Sequence, residues 1–170
     1  MTISNLVKVI KENESSHNTF IFPWGDSIIF TNGHILVRND PNLKEYFGDF
    51  PLSKLTKDGY ACNLGVESGR IKFLGERGSP DNDLAKKLLE ADLTKLDLLD
   101  PNKKLEGETS GIRGYTLSKD DKIINVVTKL YFDYLSSVGY DAIGADLAKE
   151  YNPIYFIQNN KVRSVCMPRV

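Results

Sequence analysis

The aliphatic residues Ile3, Leu6, Val7 and Ile10 fall at i, i+3, i+4 and i+7. That spacing puts them on one stripe of an amphipathic first helix, with Lys8 and Lys11 a turn apart on another side. The polar stretch from Glu14 to Asn18 breaks the pattern, and the period then changes. Thr19-Phe20-Ile21-Phe22 and Ser27-Ile28-Ile29-Phe30 are aromatic and β-branched runs joined by Pro23-Trp24-Gly25-Asp26, which predicts a hairpin. Thr31-Asn32-Gly33-His34 then separates the second run from Ile35-Leu36-Val37. Asn-Gly between apolar runs is a strong hairpin signal because both residues tolerate positive φ. A helix followed by three antiparallel strands is the expectation for the first forty or so residues.

Between Asp40 and Gly114 the pattern weakens, with Pro41, Pro51, Gly59, Gly65, Gly69, Gly75 and Gly78 interrupting short apolar pieces. Arg70-Ile71-Lys72-Phe73-Leu74 reads as a strand, and Asp81-Asn82-Asp83 reads as the cap of a helix carrying Leu84, Leu88 and Leu89. A further apolar set, Leu93, Leu96 and Leu99, runs to Pro101, and Asn102 to Gly114 reads as an exposed loop. The last third is regular again. Lys122 to Val127 predicts a strand leading to Thr128, the expected N-cap of a helix that buries Leu130, Tyr131, Tyr134, Leu135 and Val138 and ends at Gly139. Tyr140-Asp141-Ala142-Ile143, Pro153 to Ile157 and Val162 to Met167 predict three more strands, the last two joined by Gln158-Asn159-Asn160-Lys161. Helix-then-three-strands thus occurs at both ends. The expected fold is α+β: one layered domain over residues 1–170 made of two related helix-plus-antiparallel-strand halves, with residues 41–114 as an irregular or inserted, partly helical segment.

Length and charge narrow the picture. With 170 residues and 41% apolar content the chain can bury one well-formed core. A net charge of −1 gives no overall attraction to nucleic acid, so any DNA contact must come from a local set of lysines and arginines. Lys8 and Lys11 on the first helix, and Lys86 and Lys87 on the middle one, are the candidates for meeting phosphates. Lys129 and Asp133, at i and i+4, read as an ordinary solvated pair. Cys62 and Cys166 lack metal-ligand spacing and are too few for a disulfide framework, which fits free buried thiols in a reducing cytoplasm. The first ten residues lack the uninterrupted apolar stretch of a signal peptide, and nothing later reaches membrane-spanning length, so a soluble, intracellular protein without membrane contact is expected.

Catalytic patterns are sparse. His34 reads as a turn residue, and His17 has no Cys or second His nearby to share a metal. Asp81, Asn82 and Asp83 lack the glycine and distal glutamate of a calcium loop. The glycines at 65, 69, 75 and 78 lack the Gly-Lys-Ser/Thr ending of a phosphate loop, and no serine sits in a Gly-x-Ser-x-Gly elbow. The balance favours a non-enzymatic protein with no cofactor and no metal.

Two segments resemble the signature segments of bacterial β sliding clamps. Thr31-Asn32-Gly33-His34-Ile35-Leu36 is similar to the family's Thr-Asp-Gly-His-Arg-Leu strand turn. Asn152-Pro153-Ile154, followed by Cys166-Met167-Pro168-Arg169-Val170, is similar to the Asn-Pro-Ile lead-in and Val-Met-Pro-x-Arg-Leu ending. The unit from Ile123 to Val138 also looks like the strand and helix that precede this ending. The chain departs from the family at Asn32 and Ile35, where Asp and Arg are usual, and lacks the residue between Pro168 and Arg169. The resemblance implies a clamp-like fold and a pocket for short peptides of polymerases or other replication factors, bordered by Thr31, Gly33, His34, Leu36, Met167, Pro168 and Arg169. It also implies a homo-oligomer and double-stranded DNA as a further partner. A second reading is a phage or mobile-element interaction protein that inhibits a host factor without binding DNA. A third rests on Gly139 to Ile143 with Tyr155 to Ser164, which look similar to the closing strands of ADP-ribosyltransferase-like toxins and would make Glu150 the catalytic acid.

Overall fold

The computed structural model describes residues 2–12, 19–43, 61–77, 83–148 and 152–168. Within them the chain is mixed α+β, mostly antiparallel strand with few helices. It divides into two compact units, residues 1–84 and 85–170.

In the first unit α1 (Thr2–Glu12) precedes an antiparallel meander of β1 (Phe20–Trp24), β2 (Ser27–Thr31) and β3 (Ile35–Arg38). The hairpin of β4 (Ala61–Glu67) and β5 (Arg70–Arg77) joins beside β1, giving the order β5-β4-β1-β2-β3. α1 packs on β4 and β5. Its buried stripe is Leu6, Val9 and Ile10, with Val7 half-buried, so the helix is turned slightly from the expected face. Ile21, Ile29, Phe30, Ile35 and Leu64 supply much of the core of this unit. The strand expected at Arg70–Leu74 is the first part of β5, turned from β4 by Ser68 and Gly69, both at positive φ. A Cβ at Gly65 in β4 would lie 2.9 Å from Leu74 Cδ1 across the hairpin, a half-exposed side chain that lies over the glycine.

The second unit holds α3 and two sheets. A three-stranded sheet runs β7 (Leu105–Thr109), β8 (Ile112–Lys119) and β9 (Lys122–Thr128). α3 (Lys129–Val138) follows, and then a meander of β10 (Ala142–Ala145), β11 (Ile154–Gln158) and β12 (Lys161–Cys166), with β6 (Asp97–Leu99) beside β10. α3 packs against β8 and β9 on one side and β12 on another. It buries Tyr131, Phe132, Tyr134 and Leu135, while Leu130 and Val138 stay half-buried. Phe132 meets Tyr115 of β8 and Phe156 of β11 edge-on, each at 5.3 Å between ring centroids, and Tyr140 meets Phe156 in the same manner at 5.4 Å.

The ends of α3 are set by the expected residues, though not wholly by the expected means. Thr128 is the N-cap, but its hydroxyl makes no capping bond. Gly139 closes the helix at φ +122, its N–H donating to the Leu135 carbonyl. The β11–β12 turn places Asn159 and Asn160 both at positive φ, 54° and 59°, the backbone of a two-residue type I′ hairpin.

The middle of the chain departs from expectation. Asn102 to Gly114 is not a loop: most of it is β7 and the start of β8, hairpinned through Ser110 and Gly111, both at positive φ. All five residues of β7 are exposed, so the strand carries no apolar alternation by which to read it. Of the run expected from Asp81 onward, α2 (Asp83–Leu89) is helical, with Leu84 exposed and Leu89 buried. Leu93 and Leu96 do not extend it, because the Asp92 carboxylate accepts the Thr94 N–H and starts a separate 3₁₀ turn; β6 follows. The Asp100 carboxylate does the same for Asn102 and begins a second 3₁₀ turn at Pro101.

Removing the ring that touches both sheets of the second unit should cost heavily. Phe132→Ala is expected to lower unfolding stability by about 3–5 kcal/mol, as read from chemical denaturation followed by circular dichroism.

Candidate functional site

The turn between β2 and β3 is where the first resembling segment falls. Thr31 and Leu36 are register partners at its base and both are buried, so the residues of this segment that reach solvent are Gly33 and His34. Asn32 is fully buried, and its Oδ1 accepts the N–H groups of His34 at 2.9 Å and Ile35 at 3.1 Å. The Thr31 hydroxyl accepts the Gly33 N–H at 3.1 Å. Of the Asn-Gly pair only Gly33 is at positive φ, so the turn is closed by side-chain acceptors and not by two left-handed residues. The result is a rigid knuckle that presents the His34 side chain outward.

The second segment follows β12. Cys166 is buried at the strand end, and Met167 and Pro168 after it are half-buried. Burial pushes the Cys166 thiol up to about 12, which leaves it protonated and unreactive at neutral pH. Cys62 is likewise free and buried. Arg169 lies outside the described residues, as do His17, Asp81, Asn82, Gly78 and Glu150.

The four lysines considered for phosphate contact are all exposed, Lys8 and Lys11 on α1 and Lys86 and Lys87 on α2. None of them joins a salt bridge among the described residues. Their acidic neighbours differ. Glu12 follows Lys8 by four residues, whereas Asp83 and Glu90 flank Lys86 and Lys87 on both sides and dilute the positive field there.

Lys129 and Asp133 form more than a solvated i, i+4 pair. Lys129 Nζ donates to Asp133 Oδ2 at 2.6 Å and to the Tyr115 hydroxyl at 2.8 Å, and that hydroxyl donates to Asp133 Oδ1 at 3.0 Å. Lys104 Nζ, held by the Pro101 carbonyl, stands 5.1 Å from the Tyr115 ring centroid. The bonds to Asp133 and then Tyr115 raise the Lys129 pKa, so the amine stays charged and is neither a general base nor a Schiff-base nucleophile. Burial raises the Tyr115 phenol, with the bond from Lys129 opposing it. The triad ties α3 to β8. An open groove of about 410 Å³ lies beside β6 and the β8–β9 turn, lined by Leu98, Asp100, Lys103, Lys119, Asp120 and Asp121. Among the described residues no group of three or more His, Cys, Asp or Glu side chains is placed to hold a metal ion. No helix among them is long and apolar enough to cross a membrane.

Comparison with protein-family models, curated proteins and solved structures returns no match.

Two substitutions test these arrangements. Asn32→Ala removes the single acceptor of two turn hydrogen bonds and should destabilise the protein by about 1–2 kcal/mol in urea unfolding. Tyr115→Phe breaks two bonds of the triad and should cost about 1 kcal/mol, with the far-ultraviolet spectrum unchanged.

Proposed function

We propose that this chain is a non-enzymatic, clamp-like protein that captures short peptides of replication factors, with double-stranded DNA as a further partner and a homo-oligomer as its working form. The observation that carries the reading is the recurrence of one element order. α1 leads into the meander β1-β2-β3, and α3 leads into the meander β10-β11-β12, each meander with a further strand beside its first member. Two related halves of this kind are what the resembling segments imply. Those segments fall at different points of their meanders: one is the turn joining β2 to β3, and the other follows β12.

The chemistry of the segments suits peptide capture. His34 and Gly33 offer an exposed ring and bare backbone on a turn that is already fixed, so little entropy is lost on binding. Met167 and Pro168 are half-buried, and an unbranched thioether adapts to varied apolar anchors. The charged, hydrogen-bonded state of Lys129 supports a binding role over catalysis at the one polar cluster of α3.

The test is fluorescence anisotropy with a labelled peptide bearing the clamp-binding sequence of bacterial polymerases. Binding in the micromolar range is expected, with at least about tenfold weakening in Met167→Asp, because a carboxylate in an apolar contact loses hydration without gaining a partner. Unchanged affinity in Met167→Asp would sink the peptide-capture reading.

A further inference from the structure

Among the described residues β7 is the outer strand of its sheet, paired to β8 alone, and every one of its residues is exposed. Outer strands are usually blunted by a proline, a bulge or charged side chains. β7 reads Leu-Glu-Gly-Glu-Thr, has no proline and pairs with β8 without a register shift, so the charges of Glu106 and Glu108 are what guards its edge. Thr109 and Ile112 flank the two-residue turn of Ser110 and Gly111, whose φ values of 54° and 79° define a tight primed hairpin. In such a hairpin the flanking pair is hydrogen-bonded, so strict alternation turns the N–H and C=O of Glu106 and Glu108 outward.

We propose that the outward edge of β7 is a docking site for an extended segment of another protein in which lysine or arginine alternates with apolar residues, added antiparallel as a fourth strand. The charges choose this occupant over a second copy. A copy of β7 can meet these outward groups antiparallel only by setting Glu106 or Glu108 opposite Glu106 or Glu108, and directly opposed like charges are destabilising. A basic side chain at the same positions is favourable. Arg113, the register partner of Glu108, pairs with Glu106 at 3.8 Å, but an exposed ion pair of that length is weak and leaves both carboxylates open to a further basic side chain. On the other face of the sheet Leu105 of β7 is 69% exposed and supplies apolar contact for the alternate residues of the incoming strand. This site is separate from the β2–β3 turn and from the end of β12, and it stands whether or not the clamp-like reading holds.

The experiment uses the full chain and a fluorescein-labelled peptide of three Lys-Val repeats, followed by anisotropy at low salt, with three Glu-Val repeats as the counterpart. The Lys-Val peptide should bind and the Glu-Val peptide should not. Glu106→Gln with Glu108→Gln should weaken binding about tenfold or more. Glu108→Pro should abolish it, because proline removes an N–H that faces solvent in the free protein and is tolerated at an outer strand. Amide exchange at Glu106 and Glu108 should slow when peptide is bound, a readout that does not depend on any variant folding. The proposal is overturned if the two peptides bind alike, if the Lys-Val peptide fails to bind, or if Glu108→Pro binds as before. It is also overturned if the protein forms a concentration-dependent dimer that Glu108→Pro abolishes, since the occupant would then be a second copy.

Discussion

Phe132 is the residue on which the second unit depends. It lies on the helix between the two sheets, and its ring edges reach Tyr115 on one and Phe156 on the other. Tyr140 extends the same file from Phe156. Aromatic pairs in edge-on contact fix orientation as well as removing area from water, so this file sets how the helix lies against each sheet. The triad of Tyr115, Lys129 and Asp133 depends on it, because the Tyr115 ring that touches Phe132 also carries the hydroxyl that Lys129 and Asp133 share. An apolar contact thus positions a polar one.

The elements legible in the sequence were those with a strong internal signal. α3 showed a helical period and a closing glycine, and β11–β12 showed two apolar runs about an Asn-Asn turn. β7 had neither, because a strand with both faces in water needs no alternation. The apolar set at Leu93 and Leu96 was visible, but not the structure it adopts. Their leucine spacing continued, but Asp92 and Asp100 diverted the backbone by bonding to N–H groups two residues on. Local side-chain acceptors defeated periodicity.

At the candidate sites, positions were more legible than mechanisms. The turn at Asn32 and Gly33 was found from its dipeptide, yet it closes through the buried Asn32 carboxamide and not through paired left-handed residues. The i, i+4 spacing of Lys129 and Asp133 was visible, whereas their third partner lies 14 residues before Lys129 on a neighbouring strand. Only packing through Phe132 brings Tyr115 there. Lys8 and Lys11 were placed on a side of α1 away from its apolar stripe, and both are exposed there.

The Asn32–Gly33 knuckle also bears on the chemical ageing of the chain. Asn-Gly bonds are the most prone to deamidation, because the glycine nitrogen can attack the asparagine carboxamide, expel ammonia and close a succinimide ring. Here that nitrogen is tethered to the Thr31 hydroxyl, and the carboxamide oxygen is engaged by two backbone N–H groups. Cyclisation would have to break all three bonds, so the folded turn shelters a bond that the unfolded chain leaves open, and conversion to isoaspartate accumulates in proportion to the time this unit spends unfolded.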